Sequence, residues 1–298
     1  MSSNLQNVTL SDGCVLKVTL LGDEPGKPLL IANHGSPGMS TYKETEAALA
    51  CFADIFRVLL FDMRGSGQSD RKGPYSHARW AQDVDDLRQW AGAEKMIMTG
   101  ASHGGFITLE YALVYHHHLH AIIIGDSAAQ MAHWAAFNMM KTALTDPRCQ
   151  ADPEQLLRMF SGRATSQEDL LTGFATVAPL FAAPAELKAQ SEVDLDAIMP
   201  TMLAPHYETA NAAMGDCLSR YDLRDRLHEI RVPTLVYVGR YDWITPVSSS
   251  EEIVAKIPGA KLIIYEKSGH FAALEEKTRF QRDFRDFVKG LGIEGVKA

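Results

Sequence analysis

Gly100-Ala101-Ser102-His103-Gly104 follows an apolar run, Lys95 to Thr99, and precedes a second, Gly105 to Leu113, that suits a helix. A Gly-x-Ser-x-Gly stretch between a strand and a helix reads as a nucleophile elbow. The turn has to be tight enough to strain the serine backbone. Glycine is required two residues to either side because a side chain there would strike the adjoining strand or helix. The result is a serine Oγ presented at a helix N-terminus, where the helix dipole favours developing negative charge.

A serine hydroxyl needs a histidine to take its proton and a carboxylate to orient that histidine. In a strand–elbow–helix protein these follow the serine in the order acid, then histidine. The β-rich run Val232 to Gly239 leads into Arg240-Tyr241-Asp242-Trp243-Ile244-Thr245-Pro246, which puts Asp242 on the loop after that strand. The next strand, Ala260 to Tyr265, leads to Ser268-Gly269-His270-Phe271. One crossover helix fits between the two, as parallel neighbours require. Asp126, at the end of the run Ala121 to Gly125, is a rival acid ranked second because its strand lies further from the His270 loop.

The remaining requirement is an oxyanion hole, two N–H groups aimed where the tetrahedral oxygen forms. One comes from His103, the residue after the serine, and the other from the loop after an early strand. Pro28 to Asn33 is such a strand, and His34-Gly35-Ser36-Pro37-Gly38 follows it. Ser36 N–H is the expected second donor, with His34, Gly35, Pro37 and Gly38 as loop support. Gly35 and Gly38 permit the positive φ that would turn amides inward. The Ser36–Pro37 peptide is expected to be cis, a form open to X-Pro bonds at ~0.5–1 kcal/mol.

With these segments in place the chain resembles the α/β-hydrolases, and within them the proline iminopeptidase branch. That branch carries His-Gly-Gly-Pro-Gly, Asp-x-Arg-Gly-x-Gly-x-Ser, Gly-x-Ser-x-Gly-Gly and Gly-x-x-Asp-x-x-x-Pro before a late Gly-His. The matching stretches here are His34 to Gly38, Asp62 to Ser69, Gly100 to Gly105, Gly239 to Pro246 and Gly269-His270. Ser36 replaces the middle glycine, and His103 stands where Trp or Tyr is common. Neither change removes a backbone donor. The resemblance implies an eight-stranded, mostly parallel sheet with helices on both faces and a helical cap. The core then spans 1–126 and 216–298, and the cap 127–215, inserted after the sixth strand.

The strand-like runs agree: Gln6 to Leu10, Val15 to Leu21, Pro28 to Asn33, Arg57 to Phe61, Lys95 to Thr99, Ala121 to Gly125, Thr234 to Val238 and Lys261 to Tyr265. Helical patterns at Trp80 to Trp90, Phe106 to Tyr115 and Arg279 to Val288 separate several of them. Residues 127–215 break this rhythm and read as helical. Trp134, Phe137, Met139, Met140, Phe160, Phe174, Phe181, Met199 and Met202 supply apolar bulk there, and methionines suit an irregular substrate wall. Trp134, Phe137 and Trp243 are candidate substrate contacts.

At 298 residues, 46% hydrophobic and 22% charged, the chain has ordinary globular composition. A net charge of −8 leaves no basic footprint for nucleic acid and little attraction to anionic lipid. No apolar run approaches the ~18 residues of a membrane span. Met1 to Thr9 lacks an apolar signal core, and Cys14, Cys51, Cys149 and Cys217 show no C-x-x-C spacing, so free thiols and a cytoplasmic location are expected. His116, His117, His118 and His120 sit at a helix end, and only the first and last share a face. No metal or cofactor is expected. The expected partner is a small-molecule substrate, and nothing in the sequence specifies an oligomeric state.

A serine at the elbow excludes the aspartate-based dehalogenase and epoxide-hydrolase routes of this fold. The leading expectation is a serine hydrolase of the proline iminopeptidase type acting on a small amide or ester. An alternative keeps the machinery for a carboxylic ester or lactone, and a third reading is a non-hydrolytic lyase, cyclase or receptor. An aminopeptidase has to hold an ammonium, since burying that charge unpaired is costly. Glu208, near the cap's return to the sheet, is the expected carboxylate. An ester or lactone hydrolase would show an apolar wall there instead.

Overall fold

A computed structural model describes residues 5–131 and 133–296, with the side chains of 133–136 outside the description. The strands are β1 (Gln6–Thr9), β2 (Val15–Leu21), β3 (Leu29–Asn33), β4 (Arg57–Phe61), β5 (Met96–Ala101), β6 (Leu119–Gly125), β7 (Thr234–Gly239) and β8 (Lys261–Tyr265). They form one eight-stranded sheet in the order β1-β2-β4-β3-β5-β6-β7-β8. β1 and β2 pair antiparallel, β2 meets β4 antiparallel, and every later pairing is parallel. The sequence places the strands within a residue or two of these positions. The signal is strong because the central strands, Leu-Leu-Ile-Ala-Asn and Thr-Leu-Val-Tyr-Val-Gly, are buried at every position. Such runs belong in a parallel sheet covered on both faces.

The helices are α1 (Tyr42–Leu49), α2 (His77–Trp90), α3 (His103–Val114), α4 (His133–Thr145), α5 (Pro153–Phe160), α6 (Gln167–Val177), α7 (Ala185–Lys188), α8 (Leu195–Met202), α9 (Tyr207–Ala212), α10 (Val247–Lys256), α11 (Ala272–Glu275) and α12 (Lys277–Lys289). On one face of the sheet Trp80, Val84 and Leu87 of α2 and Phe106, Ile107 and Tyr111 of α3 belong to one buried cluster. On the other, Phe280 and Phe284 of α12 pack with Phe52 and Phe56. The Phe52 and Phe284 rings stack at 4.1 Å. Side chains at the helix starts fix their boundaries, Ser76 Oγ accepting from Arg79 N at α2 and Ser166 Oγ from Asp169 N at α6. Helices α4 to α9 all lie in the connection between β6 and β7. No helix among the described residues is long and apolar enough to cross a membrane.

β3 neighbours β4 on one side and β5 on the other, so the chain reverses its direction of travel across the sheet between them. A parallel sheet opens a crevice at the carboxyl ends of its strands at such a switch point. Residues 34–38 follow β3, Ser102 follows β5, Asp126 follows β6, Asp242 follows β7 and His270 follows β8.

Candidate active site

Ser102 joins β5 directly to α3 with φ +53° and ψ −123°, a strained backbone for a residue other than glycine. Its N–H is anchored at 3.0 Å to both Gly125 O and Asp126 O. A Cβ on Gly104 would overlap Asn33 O and His34 O, and one on Gly100 would overlap the Gly104 carbonyl. The strand and helix can therefore meet only through these glycines. Ser102 Oγ makes no capping hydrogen bond to α3.

His270 and Ser102 line the same cavity. His270 Nδ1 donates to Asp242 Oδ2 at 2.8 Å, and Asp242 also accepts from Thr245 Oγ1 at 2.8 Å and from the Ile244 and Thr245 N–H groups at 2.9 Å. With Nδ1 committed, Nε2 is the ring nitrogen left for a proton on the Ser102 side. No hydrogen bond joins Nε2 to Ser102 Oγ in this structure, a looser arrangement than the ~2.6–3.2 Å contact expected once substrate is seated. Burial alone would depress the imidazole pKa. Asp242, with Asp126 and Glu44 behind it, outweighs that effect and raises it to about 9.

Asp126, the rival acid, makes no hydrogen bond to His270. It has φ +41°, and its carboxyl accepts from Gly239 N at 2.9 Å and Ala272 N at 3.2 Å, tying the β7 and β8 loops together. Burial, reinforced by the Asp242 charge, raises its pKa well above the usual carboxylate range.

The 34–38 loop is held from several sides. Met63 N–H donates to His34 Nε2 at 3.1 Å, so the ring proton is on Nδ1, which donates to Gly35 O at 2.7 Å. Burial lowers the His34 pKa to about 4, so the ring stays neutral and this tautomer persists. Fixing the Gly35 carbonyl fixes the Gly35–Ser36 peptide plane and turns Ser36 N–H to the opposite side. Neither Ser36 N–H nor His103 N–H donates to a described residue. The positive φ falls on Ser36 (+25°) and Gly38 (+70°), not on Gly35 as expected. Met39 N and Ser40 N, both 2.9 Å from Ser36 O, stabilise that turn. The Ser36–Pro37 peptide is trans, against expectation, and the cis peptide among the described residues is Gly73–Pro74.

The Asp62 to Ser69 stretch acts as a brace for this loop. Asp62 accepts from Tyr42 N and Gln68 N at 2.9 and 2.8 Å, and Ser66 Oγ accepts from Gly38 N at 2.9 Å. From the β6–β7 connection, His206 N donates to Gly38 O (2.7 Å), Ala204 N to Met39 O (2.8 Å), and Met202 O accepts from Thr41 N (2.9 Å). Gly38 has to be glycine there, because a Cβ would lie 2.6 Å from Ala210 N and 2.7 Å from His206 O.

The His103 side chain packs into an aromatic cluster. It is buried with ring centroids 4.9 Å from Trp80, 5.1 Å from His77 and 5.8 Å from Phe106. Neither ring nitrogen has a partner, and desolvation pushes its pKa far down. It fills the space of an aromatic ring, which is why the position tolerates a histidine.

Two cavities of about 50 and 90 Å³ meet at Ser102 and Ser36. Met139, Met159, Phe160, Phe174, Phe181 and Trp243 belong to the larger one, and no charged side chain lines it. Trp243 thus stands where the sequence expects it. Phe137 does not, being 58% exposed and outside both cavities. The Trp134 side chain lies outside the described residues. Glu208 is exposed on α9 and faces neither cavity, which corrects its expected role. Neighbouring Thr209 and Ala210 take the buried face of that short helix.

Besides Asp126, the carboxyl that lines the smaller cavity is Glu44 of α1, and Asn33 lines it too. Sequence reading passed over both. Thr41-Tyr42-Lys43-Glu44 has the spelling of an ordinary helix start, and Asn33 looks like the last residue of a strand.

A family model described as the alpha/beta hydrolase fold matches residues 28–148 and 208–277, and the chain belongs to that family. It is 29% identical over 286 residues to the proline iminopeptidase PfmaB of Pestalotiopsis fici, covering 93% of this chain and 97% of that one. A hydrolase from Pseudomonas aeruginosa matches with TM-score 0.73 and 26% identity over 98% of this chain and 100% of the other. An enol-lactonase from Burkholderia xenovorans matches with TM-score 0.76 and 20% identity over 95% and 100%, a likeness of fold alone. The resemblance to the proline iminopeptidase branch extends over nearly the whole chain.

Proposed function

We propose that the protein is a serine hydrolase that cleaves a small amide or ester through an acyl-enzyme, with 127–215 as a cap over a core of 1–126 and 216–298. Ser102 Oγ attacks the substrate carbonyl carbon while His270 Nε2 takes the hydroxyl proton. Asp242 holds the imidazole in orientation and stabilises the imidazolium. The Ser36 and His103 N–H groups receive the oxyanion. The carbon–nitrogen or carbon–oxygen bond then breaks, and the imidazolium proton goes to the leaving group. Water repeats the sequence on the acyl-enzyme, giving a carboxylic acid and free Ser102.

The observation that carries this reading is the convergence on Ser102 of a strained elbow, two N–H groups without partners, and an imidazole whose Nδ1 is committed to Asp242 at 2.8 Å. The whole-chain similarity to proline iminopeptidases supports an amide substrate. The carboxylate-free cap wall favours a second reading within the same mechanism, a carboxylesterase or lactonase acting on an apolar acyl group. Ser102→Ala should abolish hydrolysis across a panel of prolyl-naphthylamide, p-nitrophenyl esters and simple lactones, and should abolish labelling by a fluorophosphonate. Retained turnover with labelling at another residue overturns the assignment. The member of the panel with the highest kcat/KM decides between amide and ester.

A further inference from the structure

Thr41-x-x-Glu44 has the spelling of a capping box, in which the glutamate folds back onto the N–H of the threonine. The structure does not use it that way. Thr41 N donates to Met202 O at 2.9 Å, and Glu44 Oε1 instead accepts from Gly35 N at 2.9 Å. The carboxyl is thereby turned into the smaller cavity. The point where a Gly35 Cβ would sit is 3.1 Å from Glu44 Oε1, 3.4 Å from Oε2 and 3.4 Å from Ser102 Cβ. The carboxylate and the elbow serine therefore flank the same few ångströms of space.

The carboxyls of Glu44 and Asp126 and the imidazole of His270 line that space together. Asn33 Oδ1 is buried there without a hydrogen-bond partner. Its amide orientation is fixed because Nδ2 faces an acceptor, Thr99 O, at 3.4 Å. Two nearby donors are already engaged, Thr45 Oγ1 with Tyr42 O at 2.9 Å and Gly35 N with Glu44 itself. No lysine or arginine lines the cavity, and no salt bridge reaches Glu44 among the described residues. Burial raises the Glu44 carboxyl pKa, with the Ser40 hydroxyl, Gly35 N–H and His270 opposing the shift. A carboxyl and an unsatisfied carbonyl oxygen facing one small cavity call for a compact group rich in N–H donors and carrying positive charge.

We propose that Glu44 and Asn33 form a subsite for a primary ammonium on the substrate, next to the carbonyl that Ser102 attacks. The inference rests on the serine-hydrolase reading and deepens it. It places the charge recognition on the core helix after the oxyanion loop rather than in the cap. The substrate class is an ester or amide of a small amino acid, its side chain or leaving group resting on the apolar cap wall.

The test uses two 2-naphthyl esters of the same shape, L-alanyl and isobutyryl, in which an ammonium replaces a methyl group. At about pH 7 the wild type should favour the alanyl ester in kcat/KM by about tenfold or more, the scale of one charged hydrogen bond. Glu44→Gln, which keeps an acceptor for Gly35 N–H, should bring that ratio close to one. A second measurement needs no variant: L-alaninamide should protect wild-type Ser102 from fluorophosphonate labelling at a concentration about tenfold below that needed with isobutyramide. Equal kcat/KM for the two esters, equal protection by the two amides, or an alanyl preference that survives Glu44→Gln overturns the subsite and leaves the hydrolase reading standing. A wild-type Ser102 that neither labels nor turns over either ester overturns both.

Discussion

On the sheet side of Ser102 the cavity wall is made of backbone and hydrogen bonds. His34 clamps Gly35 O, Ser36 O takes two N–H groups, Ser66 Oγ takes Gly38 N, and Asp242 takes three donors besides His270. On the side of the β6–β7 connection the wall is made of side-chain surface, lined by Met139, Met159, Phe160, Phe174 and Phe181 with no charge among them. The first wall fixes atoms to within a hydrogen-bond length, as chemistry at a carbonyl requires. The second excludes water and accepts whatever shape fits, because thioethers and rings repack at small cost. In the proposed mechanism, reaction geometry and apolar fit to the substrate thus fall to different materials, while charge recognition at Glu44 stays with the first.

The largest expected effect comes from breaking the first wall. Gly104→Ala pushes a methyl group into the Asn33 and His34 carbonyls, which are backbone and cannot turn aside. It should destabilise the protein by about 3 kcal/mol or more and remove activity, read as a lower thermal midpoint and lost turnover. A folded, active Gly104→Ala enzyme would show that the elbow is not as tight as the geometry requires.

Next comes the electrostatics of that wall. In the proposed mechanism only neutral imidazole accepts the serine proton, and the His270 pKa is raised to about 9 rather than lying near the ~6.5 of a free histidine. Log kcat/KM should therefore climb with a slope near one from about pH 6 to pH 8, without levelling near neutrality. A plateau beginning at pH 7 would mean that Asp242, Asp126 and Glu44 do not charge the ring as their placement implies.

The second wall should respond more mildly and selectively. Phe160→Ala opens the larger cavity beside Trp243, whose ring centroid is 6.5 Å from that of Phe160. It should change kcat/KM for a long-chain acyl ester by roughly tenfold relative to an acetyl ester, mainly through KM. A uniform fall in kcat for every ester would instead tie Phe160 to the reaction machinery. The smallest effect is expected at Glu208→Gln, an exposed change outside both cavities, with KM unaltered and stability within about 0.5 kcal/mol. A raised KM on an amino-terminal substrate would return the ammonium contact to the cap.

The same contrast explains what the sequence made legible. Backbone constraints leave their mark in residue type. The elbow needed Gly100 and Gly104, the fully buried strands needed unbroken apolar runs, and the Asp242 and His270 loops announced themselves by following such runs. The helical reading of 127–215 followed from the loss of that rhythm. Which side chains in it face inward did not, because the exposed Phe137 and the cavity-lining Phe160 are the same residue type on the same kind of helix. Glu208 was chosen for its position in the chain, whereas the burial pattern of α9 turns Thr209 and Ala210 inward and leaves it outside. Glu44 was hidden by a spelling with a common local meaning, overruled when Met202 took the N–H that a capping glutamate would have claimed.

The hydrogen bonds from Met202, Ala204 and His206 to the loop at 38–41 bear on how this architecture can be recombined. Exchanging the segment 127–215 between relatives looks like a modular swap of specificity, since the sheet and its reactive groups stay behind. The excised piece would nonetheless carry off partners of Gly38, Met39 and Thr41, and with them part of what orients the Ser36 amide. Rate and substrate range are therefore inherited together in such a graft. A junction drawn just before Met202 would leave 202–210 with the host, while Phe181 O, which accepts from His270 N at 2.7 Å, would still travel with the apolar wall.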